Sequence, residues 1–95
     1  MYIVFLKFSN NKDKARELML GHNAWLKRGF DDEVFLMAGS IQPQLGGALL
    51  AHRVTLQELE VRVQEDPFVA HDVVKAELIE VLPSKVDPRL AFLLS

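Results

Sequence analysis

Hydrophobic residues in this chain alternate between the spacing of a β-strand and that of an α-helix, and this alternation most restricts its fold. Residues 2–8 are rich in aromatic and β-branched types and precede a polar run at residues 9–11, so they predict a central strand. From Lys12 the spacing is helical, and the helix is expected to end near Gly29, a residue suited to a left-handed cap. The apolar stripe of this helix comprises Ala15, Leu18, Met19, His22 and Leu26.

A β-hairpin is predicted in the middle of the chain. Residues 33–41 form its first strand and residues 45–53 its second. Only Gln42-Pro43-Gln44 separate them, and so short a linker joins antiparallel neighbours. Gly46-Gly47 predicts a bulge or a tight turn, since no helix starts after it as a phosphate-binding loop requires.

A second helix and a last strand complete the pattern. The helix starts at a capping box, in which the side chains of Thr55 and Glu58 each bond the other residue's backbone amide. Asp66-Pro67 ends this helix, and residues 67–71 form at most one extra turn. Residues 73–82 form the last strand, and residues 87–94 form a short C-terminal helix. The inward side of the second helix is predicted to carry Leu56, Leu59 and Val63.

The order strand, helix, strand, strand, helix, strand predicts a ferredoxin-like βαββαβ plait of the α+β class. Its four-stranded antiparallel sheet would carry both helices on one face. We expect a single domain over residues 1–95, with a core at 2–82 and a tail at 83–95. The other sheet face is apolar and has no helix left to cover it. A homodimer formed face to face would bury it.

Composition excludes several function classes. The chain has no cysteine, so disulfides, thiolate metal sites and cysteine nucleophiles are ruled out, and a reducing cytoplasm is the expected location. Its net charge is −2, without a basic cluster, which argues against nucleic acid as a partner. The apolar run at residues 2–6 is too short to span a membrane and lacks the features of a signal peptide, so no membrane partner is expected.

His22 is the most informative candidate residue. It lies in the middle of the apolar stripe of helix 1, where the pattern would place Leu or Ile. Its imidazole is therefore either a core histidine with one hydrogen bond or a partly buried group for proton transfer near neutral pH. With only three histidines and no close His-x-x-x-His spacing, neither a metal nor another cofactor is expected.

Asp66 also has two interpretations. Asp followed by Pro is typical of a helix start, and Asp87-Pro88 repeats that motif where no site is suspected. Alternatively, the Asp66 carboxylate meets His22, since both helices lie on one sheet face. Ser40 could be an ordinary turn hydroxyl or an oxyanion donor, and Gly39 before it allows a ligand close to the backbone. Trp25 is predicted to be core or pocket wall.

These motifs, in this order and spacing, resemble the YCII-related (YciI-like) family over residues 2–82. The segments that carry the resemblance are His22-Asn23-Ala24-Trp25-Leu26, the run Ala38-Gly39-Ser40 before a Pro-containing hairpin, Gly46-Gly47, and Glu65-Asp66-Pro67-Phe68.

The resemblance implies a subunit of the dimeric α+β barrel superfamily with a His-Asp dyad in a cleft. Carried over, the dyad is His22 and Asp66, and the pocket lining includes Ser40 and Trp25. Relatives include a dehydrochlorinase acting on a chlorinated hydroxyhydroquinone, lactone isomerases and cofactor-free monooxygenases. Many members have a small residue or Gly after the D-P-F segment, where this chain has Val69-Ala70-His71; His71 could rim the pocket or alter its acidity.

Two function hypotheses result. The first is a small metal-free lyase or isomerase that uses His22 as general base and acid on a small cyclic or phenolic compound, with Asp66 orienting the imidazole. The second is a binding or accessory module, whose cleft holds a metabolite without chemistry. The distance between the Asp66 carboxylate and the His22 ring discriminates between them.

Overall fold

A computed structural model of the chain describes residues 1–94. Every strand and helix predicted from the pattern is present. In chain order they are β1 (Tyr2–Phe8), α1 (Ala15–Asp31), β2 (Phe35–Ile41), β3 (Gly46–Ala51), α2 (Leu56–Gln64), α3 (Pro67–Ala70) and β4 (Val74–Glu80), with 3₁₀ turns at Lys12–Lys14 and Pro88–Leu94.

The four strands form one antiparallel sheet in the order β2-β3-β1-β4. This is the ferredoxin-like α+β arrangement that the order of elements predicts. The capping box of α2 is present, because the Thr55 hydroxyl accepts from the Glu58 amide and the Glu58 carboxylate accepts from the Thr55 amide. No helix within residues 1–94 is long and apolar enough to cross a bilayer.

The strand register separates two faces of the sheet. Val4 lies between Leu49 and Leu78 on the face that packs against the helices. Ile3, one residue earlier, lies between Leu50 and Ile79 on the opposite face. We call this second face the open sheet face; its partly exposed apolar residues are Ile3, Phe5, Met37, Leu50 and Ile79.

The end of α1 differs from the prediction. The helix continues past Gly29 to Asp31, and the left-handed residue is Glu33, with φ of 61°. The Val34 amide donates to the Gly29 carbonyl, the bond of a Schellman cap. Gly29 is required for another reason: a Cβ there would lie 2.1 Å from ring atoms of Phe35.

Leu56 is a second correction, since it is 40% exposed whereas Leu59 and Val63 are buried. The Cα–Cβ bonds of a helix tilt toward its N-terminus, so a side chain at the first position projects beyond the helix start. The bulge between β2 and β3 is also displaced from the expected position: it lies at Phe35/Met37, and Gly46-Gly47 opens β3 in regular pairing.

Candidate active site

His22 occupies the inner side of α1, between Leu18 and the buried Trp25. Its side chain is 13% exposed, which is the partial burial that the stripe predicts. The one-turn helix α3 packs against α1 at this point, because Asp66-Pro67 ends α2 and redirects the chain.

Asp66 caps α3 and contacts His22 at the same time. Its Oδ1 accepts a hydrogen bond from the Phe68 amide at 3.0 Å, which is the capping interaction. The same oxygen lies 2.8 Å from His22 Nδ1. The two interpretations of Asp66 are therefore compatible, and one oxygen serves both.

The surroundings of this pair determine the histidine tautomer. A carboxylate oxygen that accepts from the ring requires the proton on Nδ1, and this leaves Nε2 with its lone pair in the neutral imidazole. Nε2 makes no hydrogen bond within residues 1–94. Asp66 is completely buried, and its Oδ2 has no hydrogen-bond partner in this part of the chain. An unsatisfied buried oxygen is uncommon in native structures.

Two aromatic rings hold the imidazole in place. Phe68 stacks on His22 with ring centroids 4.0 Å apart and planes inclined by 5°. Trp25 lies 5.9 Å away at 30°, and its indole N–H donates to the Arg62 carbonyl at 2.8 Å. The ring of His22 is thus fixed by one hydrogen bond and one stacked face.

Beside His22 is an open-sided cavity of about 350 Å³, which we call the site cavity. It lies between α1 and the sheet, at the end of the sheet where β1 finishes and β3 begins. Its walls are Leu6, Phe8, Met19, His22, Asn23, Leu26, Ala38, Gly39, Ser40, Gly46, Gly47, Phe68 and Val74. Such a volume suits a small, mostly apolar molecule with a few polar groups.

The structure brings together most of the candidate residues. Ser40 and Gly39 line the site cavity with His22, whereas Asp66 lies behind the imidazole. Trp25 is not among the cavity walls; with 1% exposure it belongs to the core, which is the first of its two predicted positions, and it does not line the pocket as the resemblance implies. His71 is exposed at the end of α3 and outside the cavity wall.

Two cavity residues were quoted from the sequence only as parts of motifs and not as site candidates. Phe68 stands in the D-P-F motif, but its stacking on His22 depends on the crossing of α3 and α1. Gly46 forms part of the floor, with φ of 129°, and a Cβ there would lie 2.1 Å from the Leu6 carbonyl oxygen. Only glycine fits this position.

Within residues 1–94 there is no group of three or more His, Asp or Glu side chains arranged to hold a metal ion. The donor set at the site is one imidazole and one carboxylate, already bonded to each other. The chemistry that this arrangement supports is proton transfer at Nε2, assisted by the carboxylate behind the ring.

Comparison with solved structures finds a similar fold. The fold is similar to that of 5-chloro-2-hydroxyhydroquinone dehydrochlorinase from Burkholderia phenoliruptrix AC1100, solved in complex with 2,5-dihydroxybenzoquinone. The TM-score is 0.68 at 13% sequence identity, and the match covers 85% of this chain and 93% of that one. No protein-family model matches the chain, and no curated protein matches it. The likeness supports the ferredoxin-like α+β fold described above.

Proposed function

We propose that this protein is a YCII-like, metal-free enzyme that moves protons on a small cyclic or phenolic compound. The observation that carries the proposal is the 2.8 Å contact between His22 Nδ1 and the buried Asp66, with His22 also lining the site cavity. A helix cap alone does not account for this burial. Asp87 caps a turn with the same Asp-Pro motif, yet it is exposed, and within residues 1–94 its carboxylate pairs only with Arg89.

In the proposed mechanism Nε2 of His22 is the general base. It takes a proton from a hydroxyl or an acidic carbon of the substrate, and Asp66 stabilises the imidazolium that forms. The Ser40 hydroxyl, or a backbone amide beside Gly39, donates to the oxyanion that develops.

Two reaction types are compatible with this step. In an elimination, the imidazolium delivers the first hydroxyl proton to the ring carbon that bears chlorine. A second hydroxyl then loses its proton to Nε2, its oxygen forms a carbonyl double bond, and chloride departs with the electron pair of the carbon–chlorine bond. The net change is loss of HCl and formation of a quinone, and the imidazolium releases the second proton to water. In an isomerisation, the imidazolium returns the proton to another atom of the same molecule. Neither reaction needs an oxidant or a cofactor. The structural likeness to a dehydrochlorinase supports testing elimination first.

The test is chloride release from a panel of chlorinated hydroquinones and hydroxyhydroquinones, with quinone absorbance as a second readout. His22→Asn should lower turnover by about 10²- to 10⁴-fold, the usual contribution of a positioned base. His71→Asn is the matched control, because this exposed histidine lies near α3 but outside the site cavity. Full activity of His22→Asn would refute the mechanism, and binding without turnover by the wild type would favour the accessory module.

We also propose a homodimer in the cytoplasm, formed through the open sheet face. Met37 and Ile79 are 42% and 41% exposed there, and a second copy would bury them. Light scattering at micromolar concentration should give twice the chain mass. Ile79→Glu should shift the protein to monomer, whereas Val61→Glu, at an exposed position of α2, should not. A monomeric wild type would contradict this arrangement.

A further inference from the structure

A second pocket, of about 340 Å³, adjoins the site cavity. The two spaces share three wall residues, Phe8, Ser40 and Gly46. The remaining walls of the second pocket, which we call the adjoining pocket, are Lys12, Gln42 and Gln44. A molecule bound beside His22 therefore lies next to a polar space that shares these three residues with the site cavity.

The charges around these two spaces are unequal. Among the described residues that line the site cavity, His22 alone carries a titratable side chain. Within residues 1–94, Lys12 supplies the only formal charge of the adjoining pocket, and it is positive. The carboxylate of Asp66 lies behind the imidazole and outside the walls of both spaces. A ligand that spans them therefore meets one cation at its far end.

Lys12 is free to serve a ligand. It forms no ion pair within residues 1–94, and its ammonium group lies 4.7 Å from the centre of the Phe8 ring. The Lys12 side chain is exposed, and its ammonium is a compact charge on a flexible stem that can reach an anion beside the Phe8 ring. The side-chain amides of Gln42 and Gln44 supply further N–H donors in the same pocket.

We propose that the substrate of the site cavity is a small cyclic or aromatic acid whose anionic group binds in the adjoining pocket against Lys12. The apolar ring would occupy the site cavity, with a hydroxyl or an acidic carbon at His22. This inference rests on the proposed function for the location of the reacting end, and it adds the anionic class of the ligand and the residue that selects it. Lys12 is then a specificity-determining residue and takes no part in the proton transfer.

The test compares two probes of equal shape, para-hydroxybenzoate and the neutral para-hydroxybenzamide. Binding is followed by amide NMR titration of the full chain, using residues around both spaces as reporters. The wild type should prefer the acid by about twofold to fivefold, the range of an exposed charge pair. Lys12→Gln should abolish the preference, and Lys12→Glu should reverse it. Lys14→Gln, in the same 3₁₀ turn but outside both walls, should retain it.

Three results would overturn the proposal: equal binding of the two probes to the wild type, an unchanged preference in Lys12→Gln, or no shift of any cavity residue at saturating millimolar concentrations. The readout is binding, so it is independent of chemistry. If the protein prefers the acid through Lys12 but turns over none of the chlorinated panel, the anion subsite is supported and the proposed function is refuted. If turnover depends on His22 but Lys12 does not affect binding, the proposed function is supported and the anion subsite is refuted.

Discussion

Replacing Asp66 by Asn separates the two tasks of this side chain. Asn retains an oxygen that can accept from the Phe68 amide, so the cap of α3 survives. The negative charge 2.8 Å from His22 Nδ1 is lost. The substitution therefore changes the electrostatics of the imidazole more than it changes the fold.

The magnitude follows from the geometry of the pair. With charge centres about 4 Å apart and an effective dielectric constant of about 20, an imidazolium and a carboxylate attract each other by about 4 kcal/mol. If this attraction acts mainly in the transition state, its loss slows the reaction by about 10³-fold. The amide dipole of Asn recovers part of it, so we expect kcat to fall by about 10²- to 10³-fold.

The assay combines steady-state kinetics with nitrogen NMR of the imidazole. In the wild type, neutral His22 should carry its proton on Nδ1, as a carboxylate acceptor requires. In Asp66→Asn the neutral ring should become a mixture of tautomers, because an amide can donate as well as accept. Thermal unfolding verifies that the fold is retained.

Asp87→Asn is the matched control, since Asp87 precedes proline and caps the following turn through the Arg89 amide, but it does not contact His22. It should leave kcat and the His22 tautomer unchanged. A loss of less than about threefold in Asp66→Asn, far below the value from the charge pair, would refute the role of the carboxylate.

Three further predictions concern stability. Gly29→Ala should destabilise by about 1–3 kcal/mol in denaturant unfolding, since its Cβ would overlap the ring of Phe35; an unchanged midpoint would contradict this packing. Thr55→Ala should lower the free energy of unfolding by about 1 kcal/mol, because it removes the hydroxyl oxygen that accepts from the Glu58 backbone amide. A loss of helix signal confined to the first turn of α2 would identify the lost cap as the cause. Burial lowers the pKa of His52 in the folded protein, so unfolding takes up a proton once the pH drops below the pKa of the unfolded chain, about 6.5, and the free energy of unfolding should then fall. His52→Gln should lose less stability than the wild type between about pH 7.5 and 5.5. Identical pH profiles of the two proteins would refute the lowered pKa of His52.

Local patterns predicted the elements because each depends on neighbouring residues. The limits of β1 are those of its apolar run, and the capping box of α2 requires only Thr55 and Glu58 three positions apart. The end of α1 was harder to predict. Gly29 suggested a helix cap, but glycine is needed there because the ring of Phe35 in β2 packs closely against it, and no local sequence pattern contains that contact.

Local patterns also predicted the two central residues of the candidate site but not the contacts around them. His22 was conspicuous because a polar ring interrupts an apolar stripe, and Asp66 because it precedes proline. Trp25 carried no signal that distinguishes core from cavity wall, and the structure assigns it to the core. Phe68 could be quoted as part of a motif, but its parallel stacking on His22 could not be predicted.

By itself, the sequence determined the order of elements and the two sheet faces, and it excluded thiol and disulfide chemistry because the chain has no cysteine. Tertiary structure alone decided that His22 and Asp66, 44 positions apart, share a hydrogen bond, and that strands and helices from both halves enclose one cavity. Periodicity reports which side of an element faces the core. The distance between two elements depends on how their side chains pack across the sheet, and that is a property of the whole fold.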